Sequence, residues 1–288
     1  MATTKYLFYY MLRPFPDPEA LRLWQVELGA RLGVSGRVAV SPQGLHGVVG
    51  GSLPHLGAYA LATQRHPALT DLRFCWGEGR GPEPGELSVR VQEDVSGFGA
   101  RAEREVTESG GCGVHLTPRE VHELVAARGR EVVFFDGRDH REAEVGRFRG
   151  ALVPDANQAR DVLRDLRSGK FDALRDRPVV TYCTGGVRSE ILTSMMRHRG
   201  FSEVYVLDGG IISYGTAFAD RGLWEGTLYV LGEQVQIVFS ENPTVIGRCE
   251  SCGASTYSYR ECVAPLCSAH ALLCNGCADF ALCAAHRN

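Results

Sequence analysis

Residues 180–190 read Val180-Thr181-Tyr182-Cys183-Thr184-Gly185-Gly186-Val187-Arg188-Ser189-Glu190. The apolar run Pro178–Cys183 predicts a strand, and Glu190–Arg199, closed by Gly200, predicts a helix. A thiol therefore stands between a strand end and a helix start. Thr184, Gly185 and Gly186 let the backbone curl so that successive N–H groups point inward, both glycines being expected to visit positive φ. Such a curl is an anion-binding nest, and the following helix N-terminus adds partial positive charge. Val187 closes the loop, and Arg188 brings a full charge. This field favours a thiolate nucleophile at Cys183, and the same donors suit a persulfide or an oxyanion carried on it. A merely buried strand-end cysteine has no use for Gly-Gly and Arg directly after it.

On either side of this loop, strands alternate with helices. Thr117-Pro118-Arg119-Glu120 is a helix start, with Pro at the first helical position and Glu where a capping box places it. Val132–Phe135 reads as a strand followed by Asp136-Gly137-Arg138, Gln158–Arg167 as a helix, and Val204–Leu207 as a strand followed by Asp208-Gly209-Gly210. The alternation predicts an α/β domain over 116–230, a doubly wound parallel sheet whose sites form at the carboxyl ends of strands. Cys183 lies at one such end. Asp136 and Arg138 follow another, where they either support the site or brace the sheet.

The first 95 residues have a different order. Tyr6–Leu12 reads as a strand. Asp17-Pro18-Glu19 opens a helix, Arg37–Ser41 and Gly44–Gly51 are short strands, and Leu53–His66 is a helix stopped by Pro67. Leu72–Trp76 and Glu86–Val91 close the region as strands. The order is βαββαβ, which predicts a ferredoxin-like α+β domain over 1–95. Residues 96–115, rich in glycine and charge, read as a linker, with Cys112 as a solvated thiol. Leu228–Phe239 reads as extended, and 231–248 as an extended connection.

Seven of the ten cysteines fall between Cys249 and Cys283. The spacing is Cys249-x2-Cys252, Cys262-x4-Cys267-x2-His270, Cys274-x2-Cys277 and Cys283-x2-His286. Two C-x2-C pairs within 30 residues point to zinc, since each turn aims two sulfurs at one ion. The two pairs complete one four-cysteine site. Cys262, Cys267, Cys283 and His286 supply a second, leaving His270 spare or exchanging with a neighbour. With few large apolar residues, the tail over 249–288 is expected to draw its stability from metal.

Net charge is −3 with 23% charged residues, so nucleic acid could be met only through a local patch. Arg160, Arg164 and Arg167 recur at helical spacing, but interleaved acids make that face an ion-paired surface. His46, in a Gly-rich turn, could face a phosphate, and reads more simply as a solvated loop histidine. No segment approaches the roughly 18 apolar residues of a spanning helix, and the N-terminus lacks a signal-peptide core. A cytoplasmic protein without a membrane partner is expected, carrying zinc and no organic cofactor.

Cys183-Thr184-Gly185-Gly186-Val187-Arg188 resembles the active-site loop of rhodanese domains, and it is one residue shorter than the related phosphatase loop. Asp136-Gly137-Arg138, Phe148-Arg149-Gly150-Ala151 and Asp208-Gly209-Gly210-Ile211 are similar to further rhodanese elements, although Gly146-Arg147-Phe148 lacks the usual His. Leu7-Phe8-Tyr9-Tyr10, Gly36-Arg37-Val38, Gln43-Gly44-Leu45-His46-Gly47 and Gly113-Val114-His115-Leu116-Thr117-Pro118, with the cysteine tail, resemble the bacterial tRNA uridine hydroxylases. That resemblance covers nearly the whole chain. It implies conversion of the tRNA wobble uridine to 5-hydroxyuridine with molecular oxygen, dependent on the active-site cysteine. The chain departs from the family's pattern at Ser189, where a second cysteine is usual, at Gln43–Val48, and at His286. Two other functions remain open on the residues: a sulfurtransferase passing a Cys183 persulfide between a donor and an acceptor protein, and a non-enzymatic zinc-tailed adaptor.

Overall fold

A computed structural model describes residues 4–80, 86–109, 113–156, 158–230, 235–267, 269–283 and 285–286. Cys112 lies outside them. In β1 (Thr4–Leu12), Leu7 and Tyr9 are buried on one face and Tyr6 and Phe8 on the other, so the strand is covered on both sides. α1 (Pro18–Leu32) starts where the Asp17 side chain accepts the Ala20 N–H and ends at Gly33, φ 59°. β2 (Ser35–Ser41), β3 (Gly44–Gly51), α2 (Leu53–Gln64) and β4 (Phe74–Arg80) follow, in the spatial order β4-β1-β3-β2. β5 (Leu87–Val91) adds parallel to β2. Both helices pack on the face that carries Leu7, Tyr9, Val38, Val40, Leu45, Val49, Leu87 and Val89.

The stretch read as a linker contains α3 (Ala100–Ser109). Ala102 and Val106 pack with Val162, Leu163 and Ile191, so this helix belongs to the core of the second domain. Its Glu103 is fully buried and accepts the N–H groups of Val95 and Ser96 and the Ser41 hydroxyl. Two apolar residues one turn apart among charged neighbours were too thin a stripe to announce a helix.

β6 (Val114–Leu116), α4 (Pro118–Arg128), β7 (Val133–Asp136), α5 (His140–Val145), β8 (Gly146–Phe148), α6 (Ala159–Ser168), β9 (Val179–Tyr182), α7 (Val187–His198), β10 (Val204–Leu207) and α8 (Gly210–Phe218) complete that domain. Its parallel sheet runs β6-β10-β9-β7. Thr117 and Glu120 form the expected capping box at α4.

β11 (Trp224–Gly226) pairs with β8. β12 (Leu228–Val230) and β13 (Val235–Ile237) then return to the first domain, where β13 pairs with β4 and the sheet becomes β12-β13-β4-β1-β3-β2-β5. The boundary expected at residue 230 and the connection expected over 231–248 thus cut through strands of the first sheet. Each is three residues long, too short for alternation to show which sheet receives it. Tyr6, Phe8 and Val48 share one buried cluster with Ile211, Ile212, Leu228 and Ile237, so the two domains have a common core. β14 (Tyr259–Glu261) and β15 (His270–Leu272) form a hairpin in the tail. No described helix is long and apolar enough to cross a membrane.

Candidate active site and metal-binding tail

Cys183 follows the last residue of β9 and is 1% exposed. The Gly186 N–H donates to its Sγ at 3.2 Å. The Cys183 and Thr184 carbonyls accept the Ile211 and Ile212 N–H groups at the start of α8, at 3.0 and 3.2 Å. With those two carbonyls tied to α8, the loop is held in its curl. Gly186 has φ +121°, and a Cβ there would stand 2.7 Å from the Tyr10 ring. Gly185 differs from expectation: it is not among the residues at positive φ, and a Cβ would meet nothing within 4 Å. α7 begins at Val187, so its N-terminus lies three residues nearer the sulfur than the start expected at Glu190.

Arg188 does not stand free beside the sulfur. Its guanidinium donates to both Glu142 oxygens, at 2.9 and 3.3 Å, and Glu142 also accepts the Thr184 hydroxyl at 3.4 Å. Burial opposes the charge on Glu142, but Arg188 and Arg138 outweigh it and hold the carboxyl below its usual range. Burial likewise opposes the Arg188 charge, and Glu142 more than restores it. Much of the field expected from Arg188 is therefore spent on a buried ion pair.

Asp136 and Arg138 are fully buried and form a two-pronged pair, 2.9 and 2.7 Å. Arg138 also donates to the Gly146 carbonyl, and Tyr182 donates to Asp136 at 2.7 Å. This pair ties β7 to β9 and to the end of α5, and neither residue lines the cavity described next.

A cavity of about 320 Å³ opens over Cys183, between the two domains. Phe8, His46 and Val48 form one wall; Cys183, Thr184, Gly185, Val187 and Arg188 form the other; Val95, Ser96, Asp139 and Glu142 close the sides. His46 sits on β3 inside this cavity rather than in a solvated turn. Burial, helped by Arg188, pulls its imidazole down to about 4, so it is neutral at neutral pH. Asp139 Oδ1 is buried without a partner, and burial raises its carboxyl. A second cavity of about 300 Å³ lies on the other side of Gly185 and Phe8, lined also by Tyr10, Arg73, Cys75, His115 and Asp208. At its back the buried Glu190 accepts from Tyr10 at 2.8 Å and lies 2.8 Å from His115 Nε2, while His115 Nδ1 lies 3.4 Å from Asp208. Ser189 is fully buried, and its hydroxyl has no partner. Glu142, Asp139 and Glu103 reach the cavity only through tertiary packing, and Glu190, though close in sequence, meets Tyr10 and His115 only in the fold.

The tail gathers two sets of four donors, Cys249, Cys252, Cys274, Cys277 and Cys262, Cys267, Cys283, His286, the ligand atoms of each set lying within 4.8 Å of one another. These sets can hold metal ions. The Cys283 N–H, 3.4 Å from Cys262 Sγ, leads the lowering of that thiol to about 6. His270 lies in β15, outside both sets. The tail docks on α5: the Tyr259 hydroxyl shares its one proton between Glu144 at 2.7 Å and the Arg141 carbonyl at 2.8 Å, and its ring stacks on Tyr229 at 4.7 Å. Of the α6 arginines, Arg164 pairs with the interleaved Asp161 and Arg167 with Glu105 of α3; beyond the helix, Arg175 pairs with Asp172.

Three family models match the chain: a UPF0176 acylphosphatase like domain over residues 4–95, a rhodanese-like domain over 117–217 and a rhodanase C-terminal segment over 225–286. A Corynebacterium urealyticum protein named tRNA uridine(34) hydroxylase is 45% identical over 277 residues, 96% of this chain and 93% of its own. A Rhodococcus opacus protein of the same name is 46% identical over 281 residues, 97% and 99% of the two chains. The chain belongs to the tRNA uridine(34) hydroxylase family. It is an enzyme of rhodanese type. In this member the C-terminal segment does two separate jobs. Its first residues complete the N-terminal sheet, and its later ones dock on α5 through Tyr259 and carry the two donor sets.

Proposed function

We propose that this hydroxylase-family member oxidises C5 of uridine 34 in tRNA, in the cytoplasm, with Cys183 at the reacting centre. The observation that carries this reading is the cavity over Cys183, built jointly by the acylphosphatase-like sheet and the rhodanese loop. Phe8 offers a flat apolar face to a pyrimidine, and neutral His46 offers a hydrogen bond without a charge. The Gly186 N–H and the α7 N-terminus receive a sulfur anion. Addition of the Cys183 sulfur to C6 of the uracil makes C5 electron-rich, and expulsion of that sulfur after C5 has gained oxygen regenerates the thiolate. Overall, one dioxygen, two electrons and two protons convert C5–H to C5–OH and release one water. Two thiols in solution supply those electrons and protons and leave as a disulfide. Glu142 acts indirectly, by fixing Arg188 against the loop, and Asp136 and Arg138 brace the strands beneath it.

Both tail sets suit zinc, as four thiolates and as three thiolates with one imidazole, the common structural donor combinations. Its part is to hold the tail against α5.

The test is nucleoside mass spectrometry of tRNA from a strain lacking the gene. The 5-hydroxyuridine signal is expected to vanish, to return with the wild-type gene and to stay absent with Cys183→Ala. An undiminished signal in the deletion strain overturns the reading. The donor nest would hold a persulfide equally well, so a sulfurtransferase is the second reading. Thiosulfate turnover by the purified protein without RNA would favour it.

A further inference from the structure

The register of the first sheet continues the wall of the Cys183 cavity outward. Paired residues of adjacent strands share a face. Val48 pairs with Arg37, which pairs with Ser88; His46 pairs with Ala39, which pairs with Arg90. Phe8, Val48 and His46 are the members of this face that line the cavity. The opposite face, with Val38, Val40, Leu87 and Val89, is covered by α1 and α2. Arg37, Ala39, Ser88 and Arg90 therefore lie on the cavity face, beyond the edge of the rhodanese domain. Phe8 and Val48 are 2% exposed under that domain, whereas Arg37 and Arg90 are exposed and Ala39 and Ser88 half-buried. The result is a shallow ledge of four positions, with the two arginines on one diagonal and the two small residues on the other. Its strands stand about 5 Å and about 10 Å from β3, taking the usual interstrand spacing.

We propose that this ledge binds the phosphodiester backbone of single-stranded RNA beside the nucleotide held over Cys183, with Arg37 and Arg90 each taking a phosphate. The inference rests on RNA being the substrate and adds where its backbone runs. Three features carry it. The ledge is continuous with the reacting cavity, so a nucleotide in the cavity has its flanking phosphates above β2 and β5. Ala39 and Ser88 leave room for a strand to lie flat. The charges at its corners are guanidinium groups, whose fork matches phosphate oxygens. Neither arginine touches the reacting cavity, so both contribute to holding substrate rather than to the chemical step.

The experiment uses the full-length, metal-loaded protein and a labelled anticodon stem-loop carrying an unmodified uridine at position 34. Anisotropy titrations across a salt series are run for wild type, Arg37→Ala, Arg90→Ala, the double variant and the double Arg→Lys variant. Each alanine change is expected to reduce the slope of log K against log salt by about 0.7, the value for one phosphate contact on a single strand. The double alanine variant should bind about tenfold more weakly at moderate salt and raise KM to a similar extent with kcat retained, and the lysine variant should keep most of the slope. Unchanged affinity and slope in the double alanine variant overturn the proposal. So does equal competition by a polyglutamate peptide, which would mark an acidic-protein surface instead. Weakened RNA binding in variants of a protein that makes no 5-hydroxyuridine would keep the ledge and remove the hydroxylase reading. Normal hydroxylation with unaltered binding would do the reverse.

Discussion

Two regions of this molecule are organised around cysteine sulfur, and they get their order from opposite sources. Cys183 is one thiol held by packing. Its strand is buried on both sides, its loop carbonyls are tied to α8, and the arginine beside it is locked by a carboxylate. The tail is two sets of four donors with little beneath them; one set sits with a cluster that adds only Ala271, Leu273 and Ala281 to Cys249 as buried residues. A core of that size cannot offset the entropy of ordering some forty residues. In the proposed function the same element serves as a reactive atom where the protein scaffold is strong and as a structural ligand where it is weak.

The sharpest way to break this contrast is to strip the metal. Chelation, followed by elemental analysis to confirm loss, is expected to abolish amide-exchange protection across 249–286 while β9 and α7 keep theirs. Structural zinc supplies on the order of 10–16 kcal/mol in small domains. A tail that stays protected without metal would place both regions in the same class. A smaller effect is expected at the locked arginine. Glu142→Gln leaves a partly buried Arg188 without its carboxylate, which costs about 2–3 kcal/mol in urea unfolding, below the roughly 3–5 kcal/mol of a fully buried pair. Pairing it with Arg188→Met should recover part of that loss, and a double variant worse than the single would show that the ion pair is not what holds the loop. The mildest test separates the two glycines. Gly186→Ala meets the Tyr10 ring at an unfavourable φ and is expected to cost about 1–3 kcal/mol. Gly185→Ala, facing open space, should stay within about 0.5 kcal/mol of wild type by the same unfolding measurement.

The loop and the donor sets were legible in the sequence because their signals are local. Gly-Gly-Arg follows the thiol within five residues, and C-x2-C spacing groups the tail donors without any knowledge of the fold. What stayed hidden depends on distance along the chain. Glu142 reaches Arg188 across 46 positions. Glu103 props the Val95–Ser96 wall from a helix whose apolar stripe is only Ala102 and Val106. Gly185 and Gly186 look alike as letters, and only the backbone angles show that one of them is needed for its φ. At His46 a Gly-rich context suggests a solvated turn, whereas β3 runs through it.

The return of β13 to β4 also has a consequence for biosynthesis. β4 emerges from the ribosome about 150 residues before its outer neighbour does, and at about 5–20 residues per second that interval lasts roughly ten to thirty seconds. Throughout that time a nascent chain carries an unpaired strand edge able to capture another polypeptide. A frameshift or stop between these strands leaves that edge open for good, so truncated products of this gene are candidates for clumping and rapid disposal even when their rhodanese domain is intact.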